Sequence, residues 1–415
     1  MQLGALRSPR YRRYWLGSIG SVGASQMLFL AQGWLVFELS ASPMDLGTLG
    51  AAGAIPAILI MFFGGMLADR WNRRYLLMVT SLITVFLLLF LAILDFSGLV
   101  EVWHVQAIAA LIGIVTGLEW PARQAFFAAL ISPDQMMSAV SLNSILWQAT
   151  RMILPAIGGV LIAVADTSLV FVICAAGFLG MFFVLLGMEV KDQHLAQGSS
   201  AQQFVEGIRF ITTNNLFAVL IPLTWIWMFF GISYMQLMPA FADILNTDEL
   251  GFGALVSVSG VGSVTGTVVV GSLQRTRHFG LVMLSGLLCA TCALYGFGVT
   301  TGLVDQLSNE FLLSLFFVFF VGLFGSVFMI TSMTVLQLHV PDRLRGRVMG
   351  IHAISFHLIS LGGLFGGAIA SIYSSPLAVI VGASVILIAL AVVALTQASI
   401  RRIDGRGLAN AEVAK

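Results

Sequence analysis

Twelve apolar stretches of roughly 20 residues run through this chain, with polar breaks between them. A bilayer core about 30 Å thick is crossed by roughly 20 apolar residues in helical form. Lipid offers no partner for a backbone amide or carbonyl, so each stretch must satisfy its own hydrogen bonds, and a helix does that. The stretches are read at 14–39, 46–67, 75–94, 104–122, 142–164, 168–188, 216–240, 251–273, 279–300, 311–337, 348–372 and 376–397, with ends good to about 2–4 residues. A soluble alternative fails on composition: a mean hydropathy of +0.99, with 59% hydrophobic and 9% charged residues, leaves too little polar surface to face water. The first stretch follows Arg7, Arg10, Arg12 and Arg13 and exceeds the core of a signal peptide, so it is expected to be a helix of the mature protein.

Charge tests this reading independently, because loops on the cytoplasmic side collect lysine and arginine. With the N-terminus inside, all but one of the 20 basic residues fall in inner segments. The outer loops carry Asp45, Asp95, Glu101, Asp166, Asp243, Asp248, Glu249, Asp305 and Glu310 instead. The exception, Arg151, falls inside the fifth stretch, where a charge costs about 2.5–3.5 kcal/mol on insertion scales and usually faces a cavity. A multi-pass protein of a bacterial inner membrane, with both termini cytoplasmic, is the expectation.

Catalytic and metal chemistry find no foothold in the sequence. Cys174, Cys289 and Cys292 lie in apolar stretches and read as small helix-face residues, and His352 and His357 lack a second group of ligands. No phosphate-binding glycine loop and no Ser/His/Asp or His/Glu cluster is present, so no enzyme, cofactor, metal or nucleic-acid partner is expected, and an ion gradient must supply any driving force.

The chain repeats itself. Pro133-Asp134 and Gly158-Gly159 recur as Pro341-Asp342 and Gly366-Gly367 at one shared offset, close to half of the 415 residues. The expected organisation is a six-helix half at 1–188, a linker at 189–215, a second six-helix half at 216–397 and a tail at 398–415. In the linker, Ser200 to Gln203 reads as a capping box, with Phe204, Ile208 and Ile211 on one face of an amphipathic helix lying at the inner membrane surface. Two such halves around a midplane site are the plan of many secondary transporters.

Gly64 to Arg74, "GGMLADRWNRR", packs an acid among arginines in a chain otherwise poor in charge. It resembles the loop between helices two and three of the major facilitator superfamily, Gly-x-Leu-Ala-Asp-Arg-x-Gly-Arg-Arg. Asn72 replaces the usual glycine, and asparagine is the residue that best tolerates positive φ in its place. "RSPRYRRYWLG", Glu119 to Gln124 ("EWPARQ"), Arg151 to Gly159 ("RMILPAIGG") and Pro341 to Val348 ("PDRLRGRV") resemble a bacterial exporter branch of that superfamily, the one that includes the enterobactin exporter. Two features depart from the pattern. The helix-four arginine of many drug/proton antiporters is missing, and Leu154 stands where a glycine is usual before Pro155.

The resemblance implies the major facilitator fold, two pseudo-symmetric six-helix halves acting as a monomer by alternating access. It implies efflux of a small organic molecule, amphipathic or apolar, such as a siderophore or drug, by proton antiport. A lipid translocator and a non-transporting sensor are the alternatives. Gly65, Asp69, Arg70, Arg73 and Arg74 would form the conformational switch, with the arginines also meeting anionic membrane lipid. Pro155, Gly158, Gly159, Gly366 and Gly367 would lie where the halves meet. Helices one, four, seven and ten would line the path, which makes Gln26, Gln32, Trp34, Trp225, Trp227, Tyr234, Gln236 and Gln337 candidate cavity residues. Glu119 and Arg123, one helical turn apart, and Arg151 are the candidate coupling groups.

Overall fold

The computed structural model describes the backbone of residues 4–70, 72–132, 135–188, 200–273, 278–303 and 309–404, with the side chains of all of these except 62–70, 137, 200–204, 272 and 342. Helix accounts for the fold, and no strand occurs among the described residues. Twelve of the segments are long and apolar enough to cross a membrane. They match the twelve stretches read from sequence, and many of their outward side chains are apolar: Phe86 is 64% exposed and Phe96 85%. A soluble protein would not leave such faces to water.

The residues form two compact units, one of Met1–Gln197 with Asp248–Ser257, the other of Gly198–Thr247 with Val258–Lys415. In the first unit α1 (Pro9–Ser40) starts with a Ser8 cap and Pro9 in its first turn, and ends at Ala41 in the left-handed region, φ 51°. It packs against α5 (Met136–Ala165) and α6 (Thr167–Leu186). α2 (Pro43–Arg70) packs on α4 (Val102–Ala129), and α3 (Arg73–Phe96) on α4 and α6. The α2–α4 approach is close enough that a Cβ on Gly117 would sit 2.7 Å from the Ala57 carbonyl oxygen. Without a hydrophobic force between helices in lipid, close van der Waals approach of this kind is what holds them.

The N-terminal motif is explained by packing. Tyr11 donates its hydroxyl to the Ala139 carbonyl at 3.0 Å, and the Trp15 indole donates to the Leu142 carbonyl at 3.2 Å. Tyr11 and Tyr14 enter a buried cluster with Leu76, Leu77, Phe126 and Leu142, which pins the start of α1 to α3, α4 and α5.

In the second unit α7 (Ser200–Thr213) precedes a seventh span that is not a single helix. It runs through α8 (Asn215–Ile226), a π-helical turn at Trp227–Gly231, a 3-10 turn at Ser233–Leu237 and α9 (Met238–Ile244). The sequence reading treats 216–240 as one continuous span and gives no sign of this break. α10 (Glu249–Leu273), whose residues up to Ser257 count with the first unit, α11 (Phe279–Gly302) and α12 (Glu310–His339) follow. The eleventh span divides at Ile354 into α13 (Arg345–Ala353) and α14 (Ser355–Ile372), before α15 (Ser375–Thr396). The basic motif at 341–348 also has a concrete task here: Arg343 lies 2.9 Å from the Glu206 carboxylate of α7, and Arg347 pairs with its other oxygen. α7 is thereby fastened to α13.

Asn72 departs from expectation. Its φ is −63° and ψ 113°, extended rather than left-handed, and its side chain accepts a hydrogen bond from the Tyr75 amide at 3.2 Å. Asparagine stands there as the N-cap of α3, a role for which its side-chain oxygen suits it and glycine has no equivalent.

Candidate functional site

One face of α1 and one face of α4 carry the same helical spacing. Ser21, Ser25, Leu28, Phe29 and Gln32 recur at i, i+4, i+7, i+8 and i+11, and so do Ile112, Thr116, Glu119, Trp120 and Arg123. These two stripes bound a cavity of about 290 Å³ inside the first unit, closed further by Thr84 of α3, Trp147 of α5 and Phe178 of α6.

Its charged element is a pair on a single helix. Arg123 donates from Nε to Glu119 Oε1 at 2.9 Å, its terminal nitrogen meets the same oxygen, and both of its terminal nitrogens approach Ser21 Oγ of α1, at 3.3 and 3.4 Å. The two side chains are only 15% and 11% exposed, so the pair is held largely away from water. Tyr14 of α1 lies near enough to interact electrostatically with both. Opposite, the Trp120 and Trp147 rings meet edge to face with centroids 6.0 Å apart. Gln32 is 9% exposed, and its Nε2 has no hydrogen-bond partner among the described residues.

The structure thus brings Gln32, Glu119 and Arg123 together. Gln26 is half-buried on α1 outside the lining, and Trp34 stacks on Phe252 at 5.4 Å instead of facing the cavity. Arg151 is half-buried on α5. In the second unit Trp227 is core, its ring against Phe328 and against Gly231 and Gly325, where an added Cβ would strike it. Tyr234 meets Ser259 Oγ at 3.3 Å, Gln236 lies against Gly363 with its Oε1 buried and unpartnered among the described residues, and Trp225 is half-buried. Gln337 is exposed.

Of the switch candidates, the side chains of Gly65, Asp69 and Arg70 lie outside the described residues. Arg73 is half-buried, while Arg74 donates from Nε and Nη2 to the carbonyls of Leu185 and Leu186, each at 2.7 Å, capping the end of α6. Gly159 of α5 meets the first turns of α10, where an added Cβ would lie 2.6 Å from the Glu249 carbonyl oxygen, and Gly253 stands similarly 3.0 Å from the Pro155 carbonyl oxygen. Gly158 faces Leu30, Gly366 faces Leu237, and Gly367 is buried on α14.

Sequence reasoning missed Ser21, Thr84, Trp120, Trp147 and Phe178 as cavity residues. Ser21 and Trp120 were within reach, since Ser21 lies three helical turns before Gln32 and Trp120 three residues before Arg123. Thr84, Trp147 and Phe178 come from other helices, and only the packing brings them in.

A family model described as transmembrane secretion effector, from the major facilitator group, matches residues 2–412. The chain belongs to that family of major facilitator transporters. The transporter is 23% identical over 373 residues to the staphyloferrin A transporter of Staphylococcus aureus (strain NCTC 8325 / PS 47), covering 86% of each chain. It is 24% identical over 295 residues to the enterobactin exporter EntS of Shigella flexneri, covering 70% of this chain and 68% of that one. Among solved structures, the nucleoside transporter NupG aligns with a TM-score of 0.70 at 12% identity, over 93% of this chain and 98% of that one. A bacterial homologue of the iron transporter ferroportin in its inward-facing state aligns at 0.72 and 14%, over 92% and 98%. At such identities these structures establish the major facilitator fold of the transporter.

Proposed function

We propose that the transporter exports a small organic molecule, amphipathic or apolar, of the kind represented by siderophores and drugs, and that a proton moves inward in exchange through Glu119. The observation that carries the reading is the Glu119–Arg123 pair, enclosed in the wall of a cavity that holds one ring-sized part of an organic ligand. The relatives named for siderophore transport support the substrate class.

The pair gives the cavity two charge states. With Glu119 ionised, Arg123 is neutralised and the cavity is neutral; with Glu119 protonated, Arg123 loses its carboxylate partner and keeps Ser21, and the cavity becomes cationic. A ligand that prefers one of these states is linked to the proton by that preference alone. Each pH unit across the membrane supplies about 1.4 kcal/mol per proton, enough to accumulate a singly coupled neutral substrate about tenfold.

Inside-out membrane vesicles test this. Respiration acidifies the lumen, and a panel of siderophores and amphipathic dyes is screened for compounds that dissipate the pH gradient on entry. For any compound that does, Glu119→Gln should abolish dissipation while still allowing exchange of labelled for unlabelled compound. Proton-driven accumulation in the glutamine variant would remove Glu119 from the coupling. Movement of labelled phospholipid, with none of the panel transported, would reassign the protein as a lipid translocator.

A further inference from the structure

We infer that the cavity of the first unit is a binding site for an uncharged aromatic group that carries a hydrogen-bond acceptor. It rests on the export reading only in calling the bound group part of a substrate.

Three features of the wall select this chemistry. The first is the set of rings: Phe29, Trp120, Trp147 and Phe178 all line the space, from four different helices, and offer ring edges and faces to a flat guest. The second is the unspent donor. Ser25 donates to the Ser21 carbonyl at 3.0 Å, Thr84 to Thr80 at 3.0 Å and Thr116 to Ile112 at 2.8 Å, so these hydroxyls turn their hydrogens back into their own helices. Gln32 lines the cavity, and its Nε2 is buried in the wall with no such outlet among the described residues, so a turn of the amide is needed to present it to a guest. Burying an amide donor unpaired is costly, and a guest oxygen that accepts from it recovers that cost. The third is charge. Glu119 and Arg123 compensate each other across two contacts, with Ser21 as a further partner. While Glu119 is ionised, an anion would have to displace Glu119 from Arg123 and a cation would have to displace Arg123 from Glu119, and either leaves a charge uncompensated in a largely buried wall.

Size sets the limit on the guest. At about 290 Å³ the cavity is at the bottom of the range for drug-sized ligands, so it takes one substituted ring and not the whole of a large substrate. Selection would then act on one ring, leaving the rest of the molecule free to vary.

The test uses the full-length protein in nanodiscs and four probes of nearly equal size: benzamide, benzoate, benzylammonium and cyclohexanecarboxamide. Ligand-observed NMR titration should show benzamide binding at least about tenfold more tightly than the other three. Gln32→Leu should weaken benzamide roughly three- to tenfold, the worth of one neutral hydrogen bond. Trp147→Leu should weaken it by a similar factor while Trp147→Phe keeps most of it, which preserves the test if the glutamine variant does not fold. Benzoate or benzylammonium binding as well as benzamide, benzamide indifferent to both Gln32→Leu and Trp147→Leu, or no benzamide binding at all, would each overturn the inference. Proton-linked flux without benzamide binding removes only this site; benzamide binding without flux of any compound removes only the export reading.

Discussion

Glu119 and Arg123 sit one helical turn apart, a spacing that on an exposed helix contributes only about 0.2–0.5 kcal/mol. Here both are largely buried, and the energetic question changes from what the pair adds to what its loss leaves behind. Removing one partner of a buried pair costs about 3–5 kcal/mol, because the other charge stays enclosed, whereas replacing both with apolar residues is often neutral. Arg123→Ala is therefore expected to lower the melting temperature in detergent clearly, and the double variant Glu119→Leu/Arg123→Leu to restore most of it. If the double variant melts as low as or lower than the single one, the pair is not enclosed as described. Arg74 makes the complementary point, since topology requires only a positive charge there. Its two bonds to the last carbonyls of α6 require the guanidinium fork, and lysine is a point donor. Arg74→Lys should insert normally yet lose about 1–2 kcal/mol of stability, read as an earlier thermal transition. An unchanged transition would leave only the charge-sorting role.

At the scale of the element, the seventh span carries the main surprise. Helices in lipid are broken only where protein or a cavity covers the freed backbone. Here the cover is α14: Gly362 lies against the Phe229 carbonyl and Gly363 against the Gln236 side chain, while Gly382 of α15 lies against the Phe230 carbonyl. The break keeps its own bonds as well, with the Ile232 amide donating to Trp227 at 3.1 Å and Met235 to Ile232 at 3.0 Å. Such interruptions cost stability and persist where function uses them. Gly362→Ala places a methyl group into the Phe229 carbonyl, so its monodisperse yield and thermal stability should fall sharply. Gly350→Ala, where nothing lies within 4 Å, should match the parent. Equal behaviour of the two would show that α14 does not depend on this approach.

At the scale of the whole molecule, the alternation of basic and acidic loops leads to an expected orientation in the membrane, with both termini inside. We expect cysteines at Ser97 and Leu303 to react with an impermeant thiol reagent added to intact cells, and cysteines at Ser132 and Arg402 to react only after permeabilisation. All four positions are exposed, and Cys174, Cys289 and Cys292 are replaced beforehand because Cys292 is exposed and Cys289 partly so. Labelling at Ser132 or Arg402 in intact cells would reverse the orientation.

The number of spans and most of their limits were legible in the sequence, because inside a bilayer each helix satisfies its own backbone and the condition for crossing is local: enough apolar length, few charges. The family was legible as well, through short loop motifs with fixed chemistry. What faces what was not. In lipid the outer face and the packed face of a helix are both apolar, so the periodicity that marks the buried side of a soluble helix is faint, and small residues decide the approach. The sequence reading accordingly set Trp227 among the cavity candidates and passed over Trp147, whereas Trp227 fills the core beside Gly231 and Trp147 lines the cavity. The same holds for charge: from sequence Arg74, Arg343 and Arg347 had only an expected place in inner loops, and the tertiary structure supplied their partners, the α6 carbonyls and Glu206, more than 100 residues away.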